Sequence, residues 1–193
     1  VGIGAWDAAM FHLTTHAFFQ CLLFLCAGAV IHEMAHAKAH STTDYDPQDL
    51  RNMGGLRRQM PKTFILMTVA SLALAGFPLT SGFLSKDAIV ISSFEWAIDK
   101  GGLFITIPII LILVSIATAF YIGRLIFKAF FGEFRLDKSL LAHLHEAPKT
   151  MLYPMVFLGI CSLFFVFSWN PISYHGAAIL DGFSVAYIFK EIH

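Results

Sequence analysis

Gly76-Phe77-Pro78-Leu79-Thr80-Ser81-Gly82-Phe83-Leu84-Ser85-Lys86-Asp87 interrupts a long apolar run with residues that such a run ordinarily excludes. Gly76, Pro78 and Gly82 are helix breakers, and Lys86-Asp87 brings formal charge. The run extends from Thr63 to Trp96. As one helix it would measure about 50 Å, against a hydrocarbon core of about 30 Å. That argues against one straight helix and predicts two half-helices joined by an irregular link. Inside a bilayer such a link is tolerated only where protein buries it or a water-filled cavity borders it. The break is therefore expected to open a hydrated gap at mid-membrane depth.

The rest of the chain fits a membrane reading. Of 193 residues, 57% are hydrophobic and 13% charged, with 20 Phe; soluble domains carry about 25% charged residues. Formal net charge is +0 and no basic patch with interleaved aromatics occurs, so nothing points to nucleic acid. Cys21, Cys26 and Cys161 sit in apolar segments without a CxxC and read as reduced packing residues. No basic leader is visible, and the opening Val1-Gly2-Ile3-Gly4 reads as the interior of a longer polypeptide.

A first span is expected over about 8–31, carrying His12, His16 and Gln20. A polar stretch follows to Pro61, then the broken run over about 63–96 and a short loop at 99–102. A third span covers about 103–131, and a fourth about 151–169 after a polar loop that ends near Pro148. The tail at 172–193 fits either a surface helix or a further span. The expected fold is an all-α, polytopic integral membrane helix bundle of four spans, the second discontinuous. The loops after the first and third spans hold Lys38, Arg51, Arg57, Arg58 and Lys62, then Arg135, Lys138 and Lys149. The loop between the second and third spans holds only Lys100. Basic loops stay in the cytoplasm, so the chain is expected to enter the membrane from outside.

Three groups of residues could carry chemistry. With Ser85 read as the N-cap of the second half-helix, Lys86 falls in its first turn. The positive helix end and the low dielectric disfavour an ammonium there, while Asp87 favours it. A lysine held between opposing influences can gain and lose a proton, which suits a relay. His12 and His16 share a helix face, and Gln20 continues it. Two imidazoles in a membrane helix suit a proton path, or serve as polar glue between helices. The third group is His32-Glu33-Met34-Ala35-His36, which matches H-E-x-x-H, two zinc ligands and a general base. Asp181 could add a third ligand, as in an intramembrane zinc metalloprotease. Against it, His40 continues the spacing into a polar loop, so the motif lies at a helix end beside water. The motif therefore reads first as a solvated histidine-rich helix end, which His143 and His145 could join in a weak metal site. No Ser-His-Asp triad, phosphate loop or dinucleotide fingerprint is present.

The ordered set Phe11-His12-Leu13-Thr14-Thr15-His16-Ala17-Phe18-Phe19, Leu22-Leu23-Phe24-Leu25, Met53-Gly54-Gly55-Leu56-Arg57 and Gly82-Phe83-Leu84-Ser85-Lys86-Asp87 resembles one family. It is the antiporter-like subunit of respiratory complex I (NADH:quinone oxidoreductase), chain L in bacteria and subunit 5 in mitochondria. The similarity is good over about 5–130 and looser beyond. Lys86 favours the L type over the M type, which has glutamate there. Multisubunit sodium/proton antiporters are the nearest relatives. The resemblance implies proton translocation coupled to quinone reduction, with His12, His16, Lys86 and Asp87 on the relay. It implies no redox centre in this chain; FMN, iron-sulfur clusters and quinone belong to other subunits. Partners would be other membrane subunits, especially the M-type neighbour, in a bacterial inner membrane rather than a mitochondrial one. Residues 1–131 would form part of the second antiporter-like helix repeat, and 132–193 a loop, one further span and a tail. The family commonly has lysine where this chain has Gln20, and glutamine does not titrate. Its loop at 32–51 also looks longer than usual.

Overall fold

The computed structural model describes residues 2–41 and 44–167. The expected tail at 172–193, the last residues of the fourth span and Asp181 lie outside the described residues. Within them run α1 (Trp6–Lys38), α2 (Pro61–Ala75), α3 (Ser81–Lys100), α4 (Thr106–Phe130) and α5 (Lys149–Cys161), with short 3-10 turns between. α1 packs against α2, α3 and α5, and α4 against α2 and α3. On length and composition, α1 and the segment Gly102–Phe130 are able to cross a membrane. α4 is apolar almost all round, and Ile110, Leu113, Phe120 and Phe127 are exposed, as on a lipid-facing or subunit-facing helix.

The predicted break is present between α2 and α3, and its chemistry is explicit. Gly76 ends α2 with φ 76°. Its N–H donates to the Ala73 carbonyl at 3.1 Å, and the Phe77 N–H to the Leu72 carbonyl at 2.9 Å. That pairing is a Schellman motif, and it requires a left-handed residue that glycine supplies without steric cost. Phe77-Pro78-Leu79-Thr80 then turns, with Thr80 N–H donating to the Phe77 carbonyl at 3.3 Å. Pro at the second position and a positive φ at the third match a type II turn. Here the third position is Leu79 (φ 73°), where glycine is the usual residue.

One expectation about the break is corrected. The N-cap of α3 is Thr80, whose Oγ1 accepts from Phe83 N–H at 3.3 Å; Ser85 lies inside the helix. Lys86 is therefore in the second turn of α3, not the first. Phe77 and Leu79 of the link are exposed, while the backbone at its far end pairs with the segment after α5. Ser81 N–H and Oγ both donate to the Ser162 carbonyl at 3.0 Å, and Phe164 N–H donates to the Leu79 carbonyl at 3.4 Å.

The same pairing explains why the fourth apolar stretch is not one helix to Trp169. α5 stops at Cys161, and Ser162–Phe164 pair with the break instead of continuing the helix. α2 and α5, at 15 and 13 residues, each measure about 20 Å and so end at similar depth. At the other end of the chain, α1 outruns its expected limit at Ile31 by two turns. Met34 and Ala37 are fully buried there, so packing carries the helix past the apolar run.

The loops after α1 and α4 meet at one end of the bundle, as alternating spans require. Gly55 N–H donates to the Phe131 carbonyl at 3.1 Å, and Arg135 Nη1 to the Leu50 carbonyl at 2.9 Å. Glu146 reaches the start of α2: its carboxylate accepts from Lys62 N–H at 2.6 Å, Thr63 N–H at 3.2 Å and Thr63 Oγ1 at 2.6 Å. A large apolar cluster, including Phe19, Leu22, Met34, Leu56, Phe130 and Met155, fills this end. A smaller one, Phe11, Leu84 and Phe167, lies beyond the break. The polar side chains of α1 and α3 sit between the two.

Candidate functional site

α1 brings His12, Thr15 and His16 to one face, with His12 and Thr15 on Ser85 in the second turn of α3. The His12 and His16 rings are 5.6 Å apart, and His16 lies edge-on to Phe19 at 5.1 Å. His12 Nδ1 is 2.9 Å from Ser85 Oγ. Thr15 Oγ1 donates to the same Ser85 oxygen at 2.9 Å and lies 3.1 Å from the His12 carbonyl. Ser85 Oγ in turn donates to the Gly82 carbonyl at 3.3 Å. Thr15 and Ser85 are both fully buried. Burial of four polar partners together is tolerated only because each finds another.

One residue on, Lys86 reaches back across the break and donates to the Leu74 carbonyl. The Schellman pairing leaves that carbonyl among the open acceptors at the end of α2, and the lysine fills it. The end of a helix attracts cations, so the ammonium sits at the negative pole of α2 rather than in the positive first turn of α3. Among the described residues, Lys86 and Asp87 form no ion pair. They line one groove between α3 and α4 with Gly76, Phe83, Ile112 and Ser115.

The structure thus gathers His12, His16 and Lys86 around the break and leaves Gln20 apart. Gln20 is two turns along α1 from His12, half-buried, and makes no hydrogen bond to the described residues. Ser85, next in sequence to Lys86, is the α3 residue that His12 meets. Thr15, Ser85 and the Leu74 carbonyl escaped the sequence reading. A buried Thr on the histidine face was a usable signal for the first, whereas nothing in the sequence marks Leu74.

Within the H-E-x-x-H stretch, Glu33 has a structural partner. A general base must reach a metal-bound water, yet Glu33 is 7% exposed and its Oε2 accepts from His145 N–H at 3.3 Å. It ties α1 to the loop before α5. His36 and His40 stand 5.7 Å apart, and His40 stacks on His143 at 4.5 Å. Among the described residues, no three His, Cys, Asp or Glu side chains converge on a metal position. The nearby acids have other partners. A hydrogen bond from Lys38, 2.7 Å away, holds the Asp44 carboxyl below the usual range. The Arg51 backbone N–H does the same for Asp49.

Residues 1–107 match the family model described as NADH:quinone oxidoreductase/Mrp antiporter, transmembrane. The chain belongs to that family. It is membrane-embedded, and its helical bundle is an antiporter-like fold. NADH-quinone oxidoreductase subunit L of Rhodobacter capsulatus is 40% identical over 195 residues, covering 95% of this chain and 25% of the relative. NADH-ubiquinone oxidoreductase chain 5 of Dictyostelium citrinum is 41% identical over 163 residues, 84% of this chain and 22% of the relative. F(420)H(2) dehydrogenase subunit L of Methanosarcina mazei is 40% identical over 172 residues, 86% of this chain and 23% of the relative. The chain therefore spans about a quarter of the length of these family members. A solved membrane-bound sulfane sulfur reductase, an archaeal respiratory membrane complex, shares the fold. Its TM-score is 0.68 at 22% identity, over 95% of this chain and 31% of that one.

Proposed function

We propose that this chain is a proton-translocating segment of the L-type antiporter-like subunit of a complex I-type NADH:quinone oxidoreductase. Protons move through His12, His16, Lys86 and Asp87, with Gln20 at most an accessory, and quinone reduction elsewhere drives them. The observation that carries the reading is Lys86: an amine on a broken membrane helix, hydrogen-bonded across the break and next in sequence to the residue that binds His12. Subunit L and chain 5 relatives at about 40% identity support the assignment of type. FMN, iron-sulfur clusters and quinone reside in other subunits, and the chain's partners are the other membrane subunits, the M-type among them. The bacterial inner membrane is its location. Residues 1–131 form part of the second antiporter-like repeat, with the remainder a loop, a further span and a tail.

Two readings of Lys86 differ in outcome. As a relay, it must release and regain its proton; as a cap, it only holds the end of α2. Lys86→Ala removes both roles, while Lys86→Arg keeps a cation that does not deprotonate. In the assembled complex reconstituted into vesicles, NADH-driven proton uptake should fall at least about tenfold in both variants, within the range for loss of one acid-base group. Full pumping by Lys86→Arg would leave Lys86 a cap. Sodium transport by the same path is the rival, since the family description also covers Mrp antiporters; pumping that requires sodium would favour it.

A further inference from the structure

We propose that the Ser85 hydroxyl is a two-position switch that couples the protonation of His12 to the broken helix. The proposal rests on the proton-translocation reading above. It follows from counting hydrogens at one oxygen. Ser85 Oγ has a single proton and two lone pairs. Three groups lie within reach: Thr15 Oγ1 at 2.9 Å, His12 Nδ1 at 2.9 Å and the Gly82 carbonyl at 3.3 Å. The single Thr15 proton has two acceptors, Ser85 Oγ at 2.9 Å and the His12 carbonyl at 3.1 Å, and the shorter contact makes Thr15 a donor to Ser85.

When Nδ1 of His12 is bare, it is an acceptor, and the Ser85 O–H must turn toward it. The Gly82 carbonyl then loses its hydroxyl partner. When Nδ1 carries a proton, in the other tautomer or in the imidazolium, it donates to Ser85 Oγ. The Ser85 O–H is then free to turn to Gly82. With Nδ1 protonated all of these groups are paired; with Nδ1 bare, the Gly82 carbonyl keeps only the N–H of its own helix, so its hydroxyl partner follows the His12 proton. No bond to carbon, nitrogen or oxygen is broken when the hydroxyl turns.

Gly82 is where this turning can matter. It lies in the first turn of α3 and packs directly on the Ala73 carbonyl at the end of α2. The next carbonyl of that helix, Leu74, holds Lys86. The switch therefore links the imidazole to the packing on which the lysine depends. The titratable groups around His12 are His16 on α1 and Lys86 on α3; Asp87 faces the groove between α3 and α4. α2 contributes only Lys62, at its far end, and the turn after α5 contributes Phe164, Val166 and Phe167 to the adjoining apolar cluster. Thr15 keeps Ser85 in register by filling its second lone pair. Ser85 is thus a positioning residue, not an acid or base itself.

The test uses the assembled complex in vesicles, reading protons moved per NADH oxidised between pH 6 and 8. Ser85→Ala should lower that ratio about fivefold or more, within the usual range of site-to-site coupling, and flatten its pH dependence. Ser85→Thr restores a hydroxyl at the same position and should recover both. Where Ser85→Ala does not assemble, Ser85→Cys, with a weaker donor of similar size, should show the same flattening. A wild-type pH profile in Ser85→Ala or Ser85→Cys overturns the switch, as does a Ser85→Thr variant that assembles but pumps no better than Ser85→Ala. Lys86→Arg separates the two ideas. If that variant pumps fully, Lys86 is a cap and the relay through it, on which the switch rests, falls; if it fails while Ser85→Ala pumps normally, only the switch falls.

Discussion

A Cβ built on Gly82 would lie 1.8 Å from the Ala73 carbonyl oxygen and 2.7 Å from its carbon. Both atoms are backbone, so no side chain can turn aside to make room. Gly82→Ala must therefore push α3 away from α2, which takes the Lys86 amine out of reach of the Leu74 carbonyl. Overpacking alone costs about 1–3 kcal/mol, and a backbone clash belongs at the upper end. The expected result is a lower melting temperature of the purified complex together with reduced pumping. A variant that melts and pumps like the parent would show that α2 and α3 do not approach so closely. At this scale the sequence was legible in kind but not in partner. Gly82 stood out as a breaker, yet its reason is a close approach, and a single chain of letters does not say what approaches. Lys86 stood out as a cation in an apolar run. Its acceptor, a backbone carbonyl beyond the break, carries no side-chain signature at all.

The start of α2 depends on a residue far away in sequence. Pro61 opens the helix, and Met60 offers no side chain to cap it. Glu146 supplies the cap instead, receiving two backbone N–H groups and the Thr63 hydroxyl. Free N–H groups and the helix dipole both favour a carboxylate at that point. Glu146→Ala leaves these donors without their partner, a loss of about 1–3 kcal/mol, and should expose the loop at 131–148 to proteolysis. Glu146→Gln keeps an acceptor but not the charge and should fall between the two. Equal protease resistance in all three forms would show that the carboxylate is not what holds the loop. Elements were otherwise read with mixed success for one physical reason. Breakers and apolar runs mark where a helix cannot continue or must be buried, so α2, α3 and α4 emerged close to their true limits. The end of α5 is set by pairing with Leu79 and Ser81, and the extra turns of α1 by burial of Met34 and Ala37. Both are tertiary effects, invisible to local pattern.

At the scale of the molecule, the packing fixes which loops share a side. Arg135 on Leu50, Gly55 on Phe131, His145 on Glu33 and the stacked His40 and His143 join the segments after α1 and α4. The turn between α3 and α4, with Lys100 and Gly101, closes the opposite end. On the positive-inside bias we propose that the first end is cytoplasmic, since Arg51, Arg57, Arg58, Arg135 and Lys138 all lie there. His12 is then nearer the outside than His16 or Gln20, at the level of the break. A proton leaving the cell would meet His16 before His12, and Lys86 beside it. Sidedness can be measured directly by cysteine labelling in intact cells, after Cys21, Cys26 and Cys161 are replaced with Ala. Arg51→Cys and Lys138→Cys should resist a membrane-impermeant maleimide added outside and react once the cells are opened. Lys100→Cys should react from outside. Should Arg51→Cys and Lys138→Cys label from opposite faces, the clasp between the two loops could not exist as described. Should all three label only in opened cells, α2 and α3 would not together cross the membrane, and a proton path past Lys86 would have no outlet.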